Sequence, residues 1–163
     1  MVLLSSSAHR YGGVNFDDFN FEGNYQPWVA YGQSKTANLL TTSELDRRYG
    51  KQGVHGFSIH PGLIGIGLMK FLPQETLDGW NSNEIIKSTM KNTEQGAATT
   101  VWAATAKELE GKGGLYIEDC RISGPAPPNF EDWDPGYVPH ATGEDKERLL
   151  WEKSLELVNP FLG

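Results

Sequence analysis

Apolar and polar positions follow two rhythms along this chain, one of period two and one close to 3.6. "MVLLSSS" is a short apolar run ending in serines, the pattern of a buried strand entering a polar turn. From His9 to Trp28 the chain is rich in Gly, Asn, Asp and aromatic residues without a sustained period, which predicts a loop with little regular structure. From about Val29 to Tyr49 the spacing becomes helical. Ala37, Leu40 and Leu45 fall near one face with Leu39 beside them, "ELDRRYG" gives a charged last turn, and Gly50 is a stop signal. "VHGFSIHPG" alternates into a second strand ended by Pro61-Gly62. "NTEQGAATTVWAATAKELEG" predicts a helix with Asn92 and Gln95 at capping-box spacing and Gly111 as its stop. "GGLYIEDCRIS" reads as a third strand, with Cys120 as a core residue within it. "GPAPPNFEDWDPGYVP" is a proline-aromatic loop, and "GEDKERLLWEKSLELV" a terminal amphipathic helix.

The resulting order, strand and helix alternating three times, predicts an α/β fold built from βαβ units around a parallel sheet. No repeat, low-complexity segment or linker divides the 163 residues, which is the size of one domain. A buried strand this close to Met1 is unusual, because its sheet neighbours would normally precede it.

Composition narrows the functional classes. The chain is 38% hydrophobic and 21% charged, with 19 glycines and 9 prolines that predict many turns. A formal net charge of −7, no basic run and no interleaving of basic with aromatic residues argue against nucleic acid as a partner. The single cysteine excludes an internal disulfide framework and a Cys-rich zinc site, and suggests a reducing, cytoplasmic setting. "MVLL" is too short an apolar run for a signal peptide. The longest apolar stretch, Leu63 to Leu72, is interrupted by Lys70 and is about half of a membrane span. It reads as a loop or short helix packed on the core, with a peripheral membrane contact or a cover over an apolar ligand as the alternatives.

The chemistry centres on "YGQSK". Tyr31 and Lys35 are four residues apart, so on a helix they share a face. A tyrosine titrates near pH ~10, and an adjacent ammonium favours its phenolate, which suits it to exchange protons with a carbonyl or alcohol oxygen. It cannot move a hydride, so a redox role would require a cofactor. On spacing alone the pair is commonplace: a solvated lysine beside a packed tyrosine. Two features add to it. Ser5, Ser6 and Ser7 follow a strand, and the carboxyl ends of parallel strands line the ligand crevice. Pro61-Gly62 ends the second strand at the same edge, where a glycine lets backbone approach a ligand. Either one alone is an ordinary turn.

Together and in this order, these segments resemble the C-terminal, catalytic half of a short-chain dehydrogenase/reductase, in its retinol-dehydrogenase-like and WW-domain-oxidoreductase-like branch. "SSSAHRYG" resembles the active-site serine strand, "YGQSKTANLL" the Tyr-x-x-x-Lys helix, and "FSIHPG" the turn that follows. "EQGAATTVWAAT" and "GGLYIEDC" resemble the later helix and last strand. The resemblance implies half of a doubly wound, Rossmann-like sheet with about three parallel strands and flanking helices, and NAD or NADP as cofactor. It implies Ser6 orienting the substrate oxygen, Tyr31 as acid/base, and Lys35 lowering the tyrosine pKa and holding the cofactor ribose. Pro61, Gly62 and Ile64 would lie along the nicotinamide. The substrate would be an apolar alcohol or carbonyl compound, and the helix from Val29 to Tyr49 would serve as a homodimer contact.

The pattern also breaks. The family's Gly-rich pyrophosphate turn has no counterpart, since Gly62, Gly65 and Gly67 have the wrong spacing. The family's asparagine on the preceding helix is missing too. Ile66 stands where a threonine often bonds the cofactor, and isoleucine cannot make that bond. A single partial domain without its Gly-rich half would leave its first strand open on one side. The expectation is a truncated product or a fragment that needs another chain, and an inactive interaction module is the competing reading. His9, His55, His60 and His140 lack metal-ligand spacing and read as structural or surface residues. Glu131, Asp132 and Asp134 read as a solvated loop, and Trp28, Trp80, Trp102, Trp133 and Trp151 as packing anchors. Phe71, Leu72, Leu77 and Trp80 read as core, with a lid over an apolar substrate as the alternative.

Overall fold

The computed structural model describes every residue except Ile66, Asp132, Leu162 and Gly163, and of Leu68 the backbone only. Four strands, β1 (Val2–Leu4), β2 (Phe57–His60), β3 (Leu115–Glu118) and β4 (Arg121–Ser123), form one sheet in the order β1-β2-β3-β4. The first three are parallel, with Leu4 opposite Ile59 and His60 opposite Glu118. Among the described residues five α-helices accompany them: α1 (Pro27–Tyr49), α2 (Gln74–Ser82), α3 (Glu84–Thr89), α4 (Thr93–Thr105) and α5 (Glu144–Val158).

Strand residues alternate between two apolar layers, as period two requires. Phe57, Ile59 and Ile117 pack with Ala103 of α4 and with Leu109. Tyr116 points the other way, into a cluster with Leu39 of α1, Val138 and Ala141. The sheet is thus covered on both faces, which is why residues pointing to either side of β2 and β3 are buried, polar Ser58 and Glu118 included. Helix α1 starts at Pro27, two residues before the predicted boundary, because a proline at the first helical position costs no hydrogen bond. The α4 start is as predicted: Asn92 Oδ1 accepts from Gln95 N at 2.8 Å, and Gln95 Oε1 accepts from Asn92 N at 3.0 Å. That helix stops at Thr105, and a separate 3-10 turn, Lys107–Leu109, buries Leu109 before Gly111.

Four expectations are corrected. The third strand is a hairpin: Asp119 and Cys120 have φ of 49° and 53°, and the chain reverses there so that β4 runs antiparallel to β3. Two successive left-handed residues make the tight turn whose twist matches the flanking strands. Cys120 lies in that turn and is exposed, not a core residue. Phe71 is 75% exposed and α2 buries none of its residues, so the Phe71 to Trp80 region is not core. Trp102 packs on the core and Trp151 packs on Tyr49, but Trp28 and Trp133 are about half exposed, so the tryptophans do not all anchor packing.

The predicted loop after β1 contains a 3-10 turn, Ser7–Tyr11, and is otherwise irregular. Arg10 reaches from that turn to the carbonyls of Glu131, Asp134 and Gly136, so the acidic loop is tied through its backbone; Asp132 lies outside the described residues. Helix α5 packs on the end of α1 through buried Glu44 and Glu147, which Arg47 bridges, while Arg48 also pairs with Glu44. No helix among the described residues is long and apolar enough to cross a membrane.

Candidate active site

The serines end β1, and each does something different. Ser5 continues the ladder, its N–H donating to Ile59 O at 2.7 Å, while its hydroxyl donates to Lys35 O at 2.8 Å and so clips α1 to the strand end. Ser6 caps the 3-10 turn: its Oγ accepts from Ala8 N at 3.1 Å, which leaves the hydroxyl proton for another acceptor. Ser7 N donates to His60 Nδ1 at 3.3 Å, joining the ends of β1 and β2.

Two histidines fix this turn, and both are neutral. His60 accepts at Nδ1, so its proton is on Nε2. Burial, helped by the Lys91 ammonium, pushes its pKa down to about 4 against the opposing pull of Asp119. His9 is fully buried; its Nδ1 donates to Ser6 O at 2.7 Å and its Nε2 accepts from Val138 N at 3.3 Å, the opposite tautomer. Burial pushes its pKa to about 4, even though the bond to Ser6 works the other way. Neither histidine stood out in the sequence as part of the site. The signal was positional: His9 follows the serines by two residues, and His60 immediately precedes Pro61-Gly62.

Helix α1 lies hard against the serine turn. A Cβ on Gly32 would sit 2.8 Å from both Ala8 O and Gly12 N, so only glycine permits this approach. Thr36 reinforces it, its hydroxyl lying 2.9 Å from His9 O and 2.7 Å from Gly12 O. Tyr31 and Lys35 share the outer face, as their spacing predicts, with Lys35 Nζ 5.3 Å from the centre of the Tyr31 ring. Lys35 also donates to Leu4 O at 3.1 Å, and burial holds its pKa below the usual lysine value. Trp28 meets Tyr31 edge-on at 6.3 Å, forming an aromatic rim with Tyr11.

Gly62 follows β2 with φ of 94°, a left-handed conformation that glycine accepts without strain. The Lys91 stem covers it, 2.7 to 2.8 Å from where a Cβ would stand. Lys91 pairs with Asp119, and this bond is the main reason the Asp119 pKa is held low. Ile64 pairs with Lys91 through the backbone, and its side chain packs on Gly96 of α4. The structure therefore brings Ser6, Tyr31, Lys35, Pro61 and Gly62 to one end of the sheet, while the Ile64 side chain turns to α4. Ile66 lies outside the described residues. Beside this end, an open cleft of about 380 Å³ is lined by Gly65, Met69, Lys70, Leu77, Trp80 and Met90 among others. Leu77 and Trp80 thus face a cleft. No cluster of three or more His, Cys, Asp or Glu among the described residues could hold a metal.

A mostly parallel α/β sheet with a serine, a tyrosine and a lysine gathered at its carboxyl end defines the class: a Rossmann-like fragment. No protein-family model matches the chain. Curated proteins do: it is 44% identical over 159 residues to the short-chain dehydrogenase/reductase prx1 of Penicillium roqueforti, aligning 98% of this chain with 46% of that protein. It is 32% identical to human retinol dehydrogenase 14 over 97% of this chain and 44% of that protein. A crystal structure of an uncharacterized protein from Mycobacterium paratuberculosis matches with a TM-score of 0.63 and 27% identity, covering 97% of this chain and 49% of that one. Over nearly its whole length the chain is thus similar to proteins named short-chain dehydrogenase/reductase and retinol dehydrogenase 14. It spans about half the length of the curated relatives it matches.

Proposed function

We propose that this chain carries the proton-handling part of an NAD(P)-dependent oxidoreductase acting on an alcohol or carbonyl group of an apolar small molecule. The observation that supports it is Tyr31 beside the Lys35 ammonium, on a helix pressed by Gly32 against the Ser6 turn. Tyr31 would give its proton to a carbonyl oxygen in reduction and take one from an alcohol in oxidation. Ser6 would donate its uncommitted hydroxyl proton to the same oxygen and orient it. Lys35 would keep a positive charge next to the phenol as that proton moves. Gly65, Met69, Leu77, Trp80 and Met90 offer an apolar wall beside this end for the substrate body.

The residues present fit one end of a dinucleotide. Lys35 has three donor hydrogens and spends one on Leu4 O, leaving others for ribose hydroxyls. Pro61 and Gly62 would flank the nicotinamide once the Lys91 stem moved aside. The chain supplies no Gly-rich turn for a pyrophosphate. When bound, the nicotinamide supplies the hydride donor or acceptor.

Calorimetry of the purified chain with NAD(H) and NADP(H) tests the reading, together with oxidation or reduction of apolar alcohols and ketones. Saturable binding with turnover that Tyr31→Phe lowers by at least about 100-fold, in line with loss of a general acid–base group, is expected. No binding at millimolar cofactor rules out catalysis by this chain alone. The edge position of β1, with Leu4 52% exposed, favours the second reading, an interaction module without catalysis. A monodisperse, active monomer would exclude it.

A further inference from the structure

The α1 face that carries Tyr31 and Lys35 continues to Asn38, three residues past the lysine and in the same row. The Asn38 Nδ2 donates to the Leu4 carbonyl at 2.8 Å, and Lys35 Nζ donates to the same oxygen at 3.1 Å. That oxygen points away from β2. Ser5 N and Met1 O make ladder bonds to β2, so the alternation turns the peptide groups of Leu4 toward the open edge of β1. A carbonyl oxygen has two lone pairs, and here one amide and one ammonium take both.

The two donors differ in kind. The amide is neutral and satisfies the carbonyl without bringing a charge. The ammonium is charged and partly buried, so any unshared acceptor nearby draws it strongly. If the Leu4 carbonyl were wholly available, it would hold the lysine at the strand edge and away from the tyrosine. We infer that Asn38 is a positioning residue: by taking one lone pair of the Leu4 carbonyl, it limits that carbonyl's hold on Lys35 and keeps the ammonium over the Tyr31 ring with donors to spare. The role in catalysis rests on the proposed function, whereas the three-way contact does not depend on it.

The test uses the full chain labelled with ¹³C at the lysine ε-carbons, with the Lys35 signal assigned by Lys35→Arg. Two readouts are followed: the pH titration of that signal, and the Overhauser contact between the Lys35 ε-methylene and the Tyr31 ring. Asn38→Leu keeps the volume and removes the donor. Its Lys35 signal should titrate at higher pH than in the parent, and the contact to Tyr31 should weaken. Asn38→Gln retains an amide and should return both readouts toward the parent. A packing role alone predicts that the leucine variant matches the parent in both, and that result overturns the inference. If the leucine variant does not fold, Asn38→Asp decides: its carboxylate should draw Lys35 off Leu4 and move the titration upward, and an unchanged titration overturns the inference. Failure to bind cofactor or turn over substrate would defeat the proposed function while leaving these outcomes as they stand.

Discussion

His9 and His60 each hold a backbone group of the serine turn through a neutral ring, so their protonation is linked to folding. In the unfolded chain both titrate near 6.5, and in the fold both are pushed to about 4, chiefly by burial. Between these values the unfolded chain binds protons that the folded chain refuses. Their contribution is therefore fully present above about pH 6.5 and drains away as pH falls toward about 4. Each pKa unit corresponds to about 1.4 kcal/mol, so each ring forfeits a few kcal/mol at most across that window. Asp119 acts in the same sense, but only below the normal carboxylate range, because its pKa is lowered further by Lys91. Urea denaturation at pH 7, 5.5 and 4.5 should show the midpoint falling at each step. His9→Gln, which cannot charge, should flatten the slope by about half. A midpoint independent of pH over this range would mean that neither ring is held neutral in the fold.

At the scale of elements, segments with an unbroken rhythm were legible and the reversals were not. Asn92 and Gln95 announced the start of α4 because the capping box is a local, reciprocal pair of bonds. The Tyr31–Lys35 face was legible because helical spacing alone decides it. The hairpin was not: no glycine or proline marks the turn in "YIEDCRIS", whose cue is an aspartate that tolerates the left-handed region. Nor could spacing show that His9 and His60 converge on the peptide between Ser6 and Ser7, since that requires β1 and β2 to be neighbours. Cys120 makes the hairpin testable. In the turn Cys120 is exposed, with its N–H bonded to Thr99 Oγ1 at 3.3 Å and its sulfur 3.9 Å from the same oxygen, whereas a strand-core thiol would be shielded. Ellman's reagent should therefore titrate about one thiol per chain at native pH, at a rate close to that in denaturant. Protection by more than about 100-fold, equivalent to an opening cost near 3 kcal/mol, would place Cys120 inside the sheet after all.

For the whole molecule, the exposed side of β1 is the feature that spans both functional readings. Met1 and Leu4 are 53% and 52% exposed there, beside peptide groups of Val2 and Leu4 that face away from β2. Of these groups, the Leu4 carbonyl is capped by Lys35 and Asn38. A sheet edge with apolar side chains and unpaired backbone invites strand addition, and a lysine on the edge is a common means of discouraging it. Here the guarding lysine is also the one the proposed chemistry needs, so one side chain serves two competing ends. If the edge drives association, sedimentation velocity should show mass rising with concentration in the micromolar range. Leu4→Lys, which removes apolar edge area and adds repulsion between paired copies, should shift the midpoint to at least about tenfold higher concentration, the equivalent of about 1.4 kcal/mol. Lys35→Met should act in the opposite direction, because it uncaps part of the Leu4 carbonyl while adding apolar surface. Parent and both variants sedimenting as monomers throughout would show that the capped carbonyl and the short strand suffice to keep this edge unpaired.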